Sequence, residues 1–281
     1  MAAARELGDV DLVSIDSMQV YRGMDIGTAK PTPAERDEIP HHLLDLVEPT
    51  EEFAVADFRD AYAAALARIG QAGRRALLVG GTGLYHRVVI DDFDLPGQWP
   101  AIRSELEADE HTAELFERLQ RLDPAATTKI EPGNRRRIIR ALEVTMGSGQ
   151  PFSSFGPGVD DYPTSDVEQI GLRWPREVIT TRIADRVQRM IDDGLVAEVR
   201  ALAEVGLSRT AAQALGYKEI LAMLDGQMSQ DEAISTLITR TRQFAVRQER
   251  WFRRDPRVRW IDVEHDAVAE ATPAVIEALN A

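Results

Sequence analysis

Two short apolar runs, each ending in small and polar residues, constrain this chain most. The first, VDLVSID, reads as a buried strand over Val10–Ile15 with Asp16 at its carboxyl end. The second, RALLVGGTGLY, reads as a buried strand over Ala76–Val79 that breaks at Gly80-Gly81. Between them, Phe53, Ala56, Tyr62, Leu66 and Ile69 mostly keep helical spacing, with Gly73 as the terminator. Strand, helix, strand at this separation is the rhythm of a parallel sheet covered by helices. Ligands of such sheets sit beyond the carboxyl ends of the strands, where Asp16 and Thr82 fall.

From Asp91 the pattern changes. DDFDLPGQWP reads as a linker, and AIRSELEADE, TAELFERLQRLD and NRRRIIRALEVTMGSG read as helices. QPFSSFGPGVDDYPTSD is a connector rich in turn residues, after which VEQIGLRW restores a strand over Val167–Trp174. This predicts an α/β core from residues 1–93 and 164–281, with residues 94–163 as an inserted helical domain. Helices ending at Gly194 and Gly206 follow, then the longest, SQDEAISTLITRTRQFAVRQERWFRRD. VRWID is expected to close the sheet as a last strand.

No apolar run approaches the roughly 18 residues of a membrane span. The first residues lack the basic and apolar regions of a secretory signal. Cysteine is absent, which excludes disulfides and cysteine metal sites and fits a cytoplasmic protein. The net charge of −14 argues against a general nucleic-acid binder. The arginines nevertheless concentrate in NRRRIIR and in the stretch from Arg240 to Trp260, where eight arginines face Glu249 and Asp255. Confined patches of this kind suit local phosphate contacts, although such runs are more often solvated helix faces.

Individual residues carry two readings each. Asp16 is a general base or metal ligand, or it caps a turn. In YRGMDIGTAKP, Gly23 and Gly27 allow close backbone approach to a ligand, and Lys30 is expected to neutralise phosphate. The GGTGLY turn offers a hydroxyl and amides, or is simply a tight strand-to-helix turn. Arg182 and Arg186 lie one helical turn apart and could grip a diphosphate; pairing with Asp185 or Asp192 is the plainer reading. Arg240, Arg247, Arg250 and Arg254 share one side of the last long helix as a cationic stripe. Tyr217 beside Lys218 could stack on a base, though core tyrosines are commoner.

Together these strings resemble the tRNA dimethylallyltransferases, also called tRNA isopentenyltransferases. The matching stretches are DSMQVYRGMDIGTAKP, HHLLDL, ADFR, LLVGGTGLY, RRIIRALEV, the Arg182–Val199 pattern, ALGYKE and TRQFAVRQ with WFRRD, in the family's order. The resemblance implies a P-loop-NTPase-like parallel-sheet core with an inserted helical domain that contacts tRNA. It implies transfer of a dimethylallyl group from its diphosphate to N6 of adenosine 37, in tRNAs reading codons that start with U. By the same resemblance Asp16 is the general base, and Asp16, Ser17, Met18 and Gln19 lie against the tRNA. Thr82 and Arg103 are further tRNA contacts. Arg136, Arg137, Ile138, Ile139 and Arg140 match a segment holding the anticodon arm, as do Gln213, Ala214, Leu215, Gly216, Tyr217 and Lys218. Arg186 matches a diphosphate contact. The implied partners are the tRNA anticodon stem-loop and dimethylallyl diphosphate, with no membrane and a monomeric enzyme.

The family's phosphate-binding loop, G-x-x-x-x-G-K-[ST], does not occur in this sequence. Mg²⁺ is the implied cofactor, with its ligands on that loop, so no residue here is assigned to metal. An upstream start is the favoured explanation. The alternative is a truncated, weakly active or inactive tRNA-binding remnant. An adenine-nucleotide prenyltransferase and a generic P-loop kinase also compete; the insertion and the arginine patches favour tRNA over a mononucleotide.

Overall fold

The computed structural model describes residues 1–91, 96–155 and 161–281. They fall into two compact units, Met1–Ile90 with Thr164–Ala281, and Asp91–Pro163. The expected boundary at residues 93 and 94 and part of the expected connector, residues 156–160, lie outside the described residues.

In chain order the first unit begins α1 (Ala2–Leu7), β1 (Val10–Ile15), α2 (Pro33–Glu38), β2 (His41–His42), α3 (Val55–Gln71), β3 (Arg75–Gly80) and α4 (Gly83–Ile90). The second unit holds α5 (Pro100–Ala108), α6 (Thr112–Leu122), α7 (Pro124–Thr127) and α8 (Arg135–Ser148). The first unit resumes with β4 (Gln169–Arg173), α9 (Arg176–Asp192), α10 (Leu195–Val205), α11 (Tyr217–Leu224), α12 (Gln230–Phe252), β5 (Val258–Asp262) and α13 (Ala267–Asn280).

β1 lies between β2 and β3, all parallel, with Val10 opposite Arg75 and Ile15 opposite Gly80. Every residue of β1 is buried, so its polar members need partners. Asp11 receives Arg74 at 2.5 Å and His42 at 2.8 Å. Burial opposes its charge, but those two partners outweigh burial and hold its pKa below the ordinary value. One expectation is corrected: β5 does not close this sheet. Among the described residues it pairs with β4 in a separate two-stranded parallel sheet, from Gln169 opposite Val258 to Arg173 opposite Asp262. Apolar runs announce strands, but which edges meet is decided by long-range packing.

Helix signals explain the long elements. α3 buries Phe58, Ala65 and Ile69 along one face, and Gly73 at φ 65° takes the left-handed position that ends such helices. α12 starts from a capping box, Ser229 with Glu232. The first unit's core gathers Val13, Ile15, Phe58, Val187, Leu195 and Leu237 between strands and helices. The rings of Phe58 and Tyr85 meet there at 4.1 Å. In the second unit Leu106, Leu115, Leu119, Ile138 and Leu142 form a core of its own.

Candidate active site

The site is built at the carboxyl ends of β1 and β3. Ile15 lies opposite Gly80, and a Cβ on Gly80 would sit 2.2 Å from the Ile15 carbonyl oxygen, so only glycine lets the strand ends close. The chain then turns at Asp16, whose Oδ1 accepts the Met18 N–H at 2.8 Å and the Gln19 N–H at 3.4 Å. That is the turn-capping role. It uses one oxygen only; Oδ2 accepts no hydrogen bond among the described residues. Thr82 meets this turn from β3: its Oγ1 accepts the Ser17 N–H at 3.1 Å. Asp16, Ser17 and Thr82, distant in sequence, therefore converge.

The loop that follows is held from within the protein. Lys30 is buried, donating to Asp45 at 2.6 Å and to the Tyr21 carbonyl at 2.7 Å, and pairing with Asp25 at 2.8 Å. The phosphate role expected of Lys30 is thus replaced by ion pairs of a buried ammonium with two carboxylates that reach solvent. Burial works against the Asp45 carboxylate, but Lys30 and Arg36 more than offset it and keep its pKa low. Gly27 faces the Tyr217 ring, not a ligand: a Cβ there would lie 2.4 Å from the ring. Gln19 links loop to strand. Its Nε2 donates to the carbonyls of Thr28 at 3.1 Å and Ala29 at 3.4 Å, and its Oε1 accepts from Ser14 at 2.8 Å.

α9 supplies the cations. Arg182 lies over the Trp174 ring at 4.4 Å, and Arg189 donates to the Asp185 carbonyl at 3.3 Å. Neither Arg182 nor Arg186 takes the plainer pairing with Asp185 or Asp192; Asp192 is occupied by Gln188 at 2.9 Å. Depletion of water around Arg186 lowers its pKa, and the Asp16 carboxylate opposes that shift. A cavity of about 950 Å³ between the loop and α9 is lined by Arg22, Lys30, Arg36, Arg186 and Arg189. Asp16 and Thr82 are not in its lining.

The 213–218 segment divides by burial. Gln213 and Lys218 are exposed and bonded to each other at 2.8 Å. Ala214, Gly216 and Tyr217 are buried, and Leu215 is half-buried. Of the two readings of Tyr217 the core tyrosine is the one observed: its phenol donates to Glu198 at 2.5 Å inside the core. The cationic stripe is also thinner than its spacing suggests. Arg240 is engaged by the buried Glu219 at 2.5 Å, and Arg254 rests on Trp251 at 5.0 Å.

In the helical unit, Ile138 and Ile139 are core residues, because their face of α8 packs on α5 and α6. Their side chains therefore pack in that core. Arg140 donates to the carbonyls of Pro96 at 2.8 Å and Gly97 at 3.1 Å and pairs with the buried Glu143 at 3.0 Å. Arg136 and Arg137 remain exposed. Arg103 pairs with Glu107 at 3.1 Å and reaches Glu143 at 4.0 Å. Glu143, Glu198 and Glu219 escaped the sequence reading. Each lies on a helix among apolar neighbours, and that isolation was the available signal.

The sequence pattern of the IPP transferase family matches residues 19–255. A tRNA dimethylallyltransferase of Pseudarthrobacter chlorophenolicus is 48% identical, over 94% of this chain and 89% of that protein. The crystal structure of a tRNA isopentenylpyrophosphate transferase from Bacillus halodurans superposes with a TM-score of 0.70 at 40% identity, covering 99% of this chain and 90% of that one. A eukaryotic dimethylallyltransferase acting on tRNA has the same fold, with a TM-score of 0.80 at 24% identity over 98% of this chain and 73% of its own. A pattern that spans most of the chain, with a relative 48% identical over 94% of it, makes this chain a member of the IPP transferase family.

Proposed function

We propose that this chain transfers a dimethylallyl group from dimethylallyl diphosphate to N6 of adenosine 37 in tRNAs reading codons that begin with U. The observation carrying the reading is the divided carboxylate of Asp16: one oxygen is fixed by the turn, the other accepts no hydrogen bond among the described residues, and the next residue, Ser17, is held by Thr82. Relatives named for this activity, 48% identical over most of the chain, support it.

An exocyclic purine amine is a weak nucleophile because its lone pair is conjugated with the ring. As N6 attacks the first carbon of the dimethylallyl group, Asp16 takes the N6 proton, and the carbon–oxygen bond breaks with its electron pair leaving on diphosphate. Arg186 offers positive charge where that leaving group gains negative charge. A stacked base cannot reach a strand-end carboxylate, so the adenosine must be everted. Arg136 and Arg137 are the exposed cations suited to the RNA backbone. Mg²⁺ would stabilise the diphosphate's charge. Among the described residues no group of three or more His, Asp or Glu could hold it, so no step is assigned through the metal. A monomer acting in the cytoplasm belongs to the same reading; no described helix is long and apolar enough to cross a membrane.

Labelled dimethylallyl diphosphate, Mg²⁺ and an anticodon stem-loop with adenosines at positions 36–38 form the test. Label on the RNA supports the proposal. Label on AMP but not on RNA replaces it with nucleotide prenylation.

A further inference from the structure

We propose that Glu198 is a positioning residue for Asp16, acting through the Asp25–Ala29 loop; this rests on the reading of Asp16 as the proton acceptor. Glu198 stands in the first turn of α10, after Gly194 at φ 105°. Both its oxygens are engaged. Oε2 accepts the N–H groups of Asp25 at 3.1 Å and Ile26 at 2.8 Å. Oε1 accepts the Gly27 N–H at 3.2 Å and the Tyr217 phenol at 2.5 Å. Successive backbone N–H groups converging on one point make an anion cradle. In many proteins such cradles hold a ligand's phosphate; here a side chain of the chain itself fills it.

What the cradle fixes is the next stretch of backbone. Thr28 and Ala29 follow directly, and their carbonyls receive the Gln19 amide. Ala29 adopts φ 49°, a left-handed conformation that residues with a Cβ avoid unless their surroundings impose it. Gln19 in turn accepts from Ser14 on β1, and its N–H lies 3.4 Å from Asp16 Oδ1. Hydrogen bonds joined by the backbone of residues 27–29 and by the Gln19 side chain therefore lead from α10 to the carboxylate. The loop has a second anchor in Lys30, which binds Asp25, Asp45 and the Tyr21 carbonyl and, among the described residues, makes no hydrogen bond to Gln19. Losing Glu198 should loosen the Gln19 end of the loop while Lys30 keeps the loop folded. Gly27 closes the clamp from the other side, pressed on the same Tyr217 ring.

The experiment is steady-state transfer to the anticodon stem-loop by the whole chain, with dimethylallyl diphosphate and Mg²⁺, alongside melting temperature. Glu198→Ala should lower kcat by roughly a hundredfold, the order expected for a displacement of about 1 Å, while KM for RNA changes by less than about threefold. Glu198→Gln, which keeps one acceptor oxygen, should recover part of kcat. If Glu198 itself took the proton, Gln would be no better than Ala, and the proposal would fail. Gly27→Ala should mimic Glu198→Ala, and the double variant should be no worse than the poorer single, because both break one clamp. Tyr217→Phe, which keeps the ring and drops one donor, gives the smallest loss. Should Glu198→Ala not fold, Gly27→Ala and Tyr217→Phe decide: a kcat equal to the parent's in both overturns the proposal. An active parent with an unchanged Glu198→Ala variant removes this inference alone. A parent that transfers no label returns this chain to an inactive tRNA-binding remnant, and this inference falls with its activity.

Discussion

Thr82 Oγ1 accepts the backbone N–H of Ser17 at 3.1 Å, while the Thr82 N–H reaches the Ile15 carbonyl at 3.3 Å. A single threonine thus fastens the turn after β3 to the turn after β1, and the turn after β1 carries Asp16. The arrangement needs Gly80 beside it, since no other residue admits the Ile15 carbonyl. The glycine-rich string after β3 is therefore first a device for bringing two strand ends together.

Thr82→Val keeps the volume and removes the acceptor. It should cost about 1 kcal/mol of stability, the usual scale of one hydrogen bond, and should lower turnover; Thr82→Ser should retain both. Denaturant unfolding and label transfer, measured on the same preparations, check this.

Lys30→Met removes the buried cation that binds Asp25 and Asp45. Asp25 is largely exposed and Asp45 keeps Arg36, so the loss should be about 1–3 kcal/mol, the scale of hydrogen bonds to a charged group. The sign of its pH dependence follows from Asp45, whose folded pKa lies below the ordinary 3.8. A depressed carboxylate contributes stability that is complete above its unfolded pKa and is lost as pH falls through the folded value. The parent should therefore lose melting temperature as pH drops below about 4. Lys30→Met should begin lower and fall less steeply over that window. Thermal melts at neutral and acid pH decide it.

Arg136 and Ile138, two places apart on α8, should respond oppositely. Arg136→Ala should leave stability unchanged, weaken RNA binding and reduce the slope of log affinity against log salt by about 1. Ile138→Ala should cost about 2–5 kcal/mol by opening a cavity in the helical unit's core. Fluorescence anisotropy with an anticodon stem-loop at several salt concentrations, together with melting, separates the two.

Local physics explains what could be read from the sequence. β1 is observed over the expected residues, and β3 differs by one residue at each end, because buried apolar runs bounded by polar turns have few alternatives. α12 carries its capping box and was legible too. α2 has the same signature, Thr32 with Pro33 and Glu35, but buries no residue and so carries no apolar periodicity to mark it. α13 was hidden by Pro273 within it. The convergence of Asp16 and Thr82 followed from the parallel-sheet rule alone. The fates of Lys30, Arg140 and Tyr217 did not, since each is set by a partner on another element or in a distant loop. Composition marks a residue as polar or charged; only the fold decides whether it faces a ligand or a neighbour.

The central claim is that Asp16 accepts the N6 proton, and Asp16→Asn isolates it. Asparagine keeps the oxygen that caps the Met18 N–H and cannot take a proton. Single-turnover transfer to a bound anticodon stem-loop should slow by roughly 10²–10⁴-fold, the range for loss of a general base. RNA affinity, measured in the same experiment, should stay within about twofold, because the turn is intact. A rate within about threefold of the parent would contradict the account and return Asp16 to the part of a turn cap.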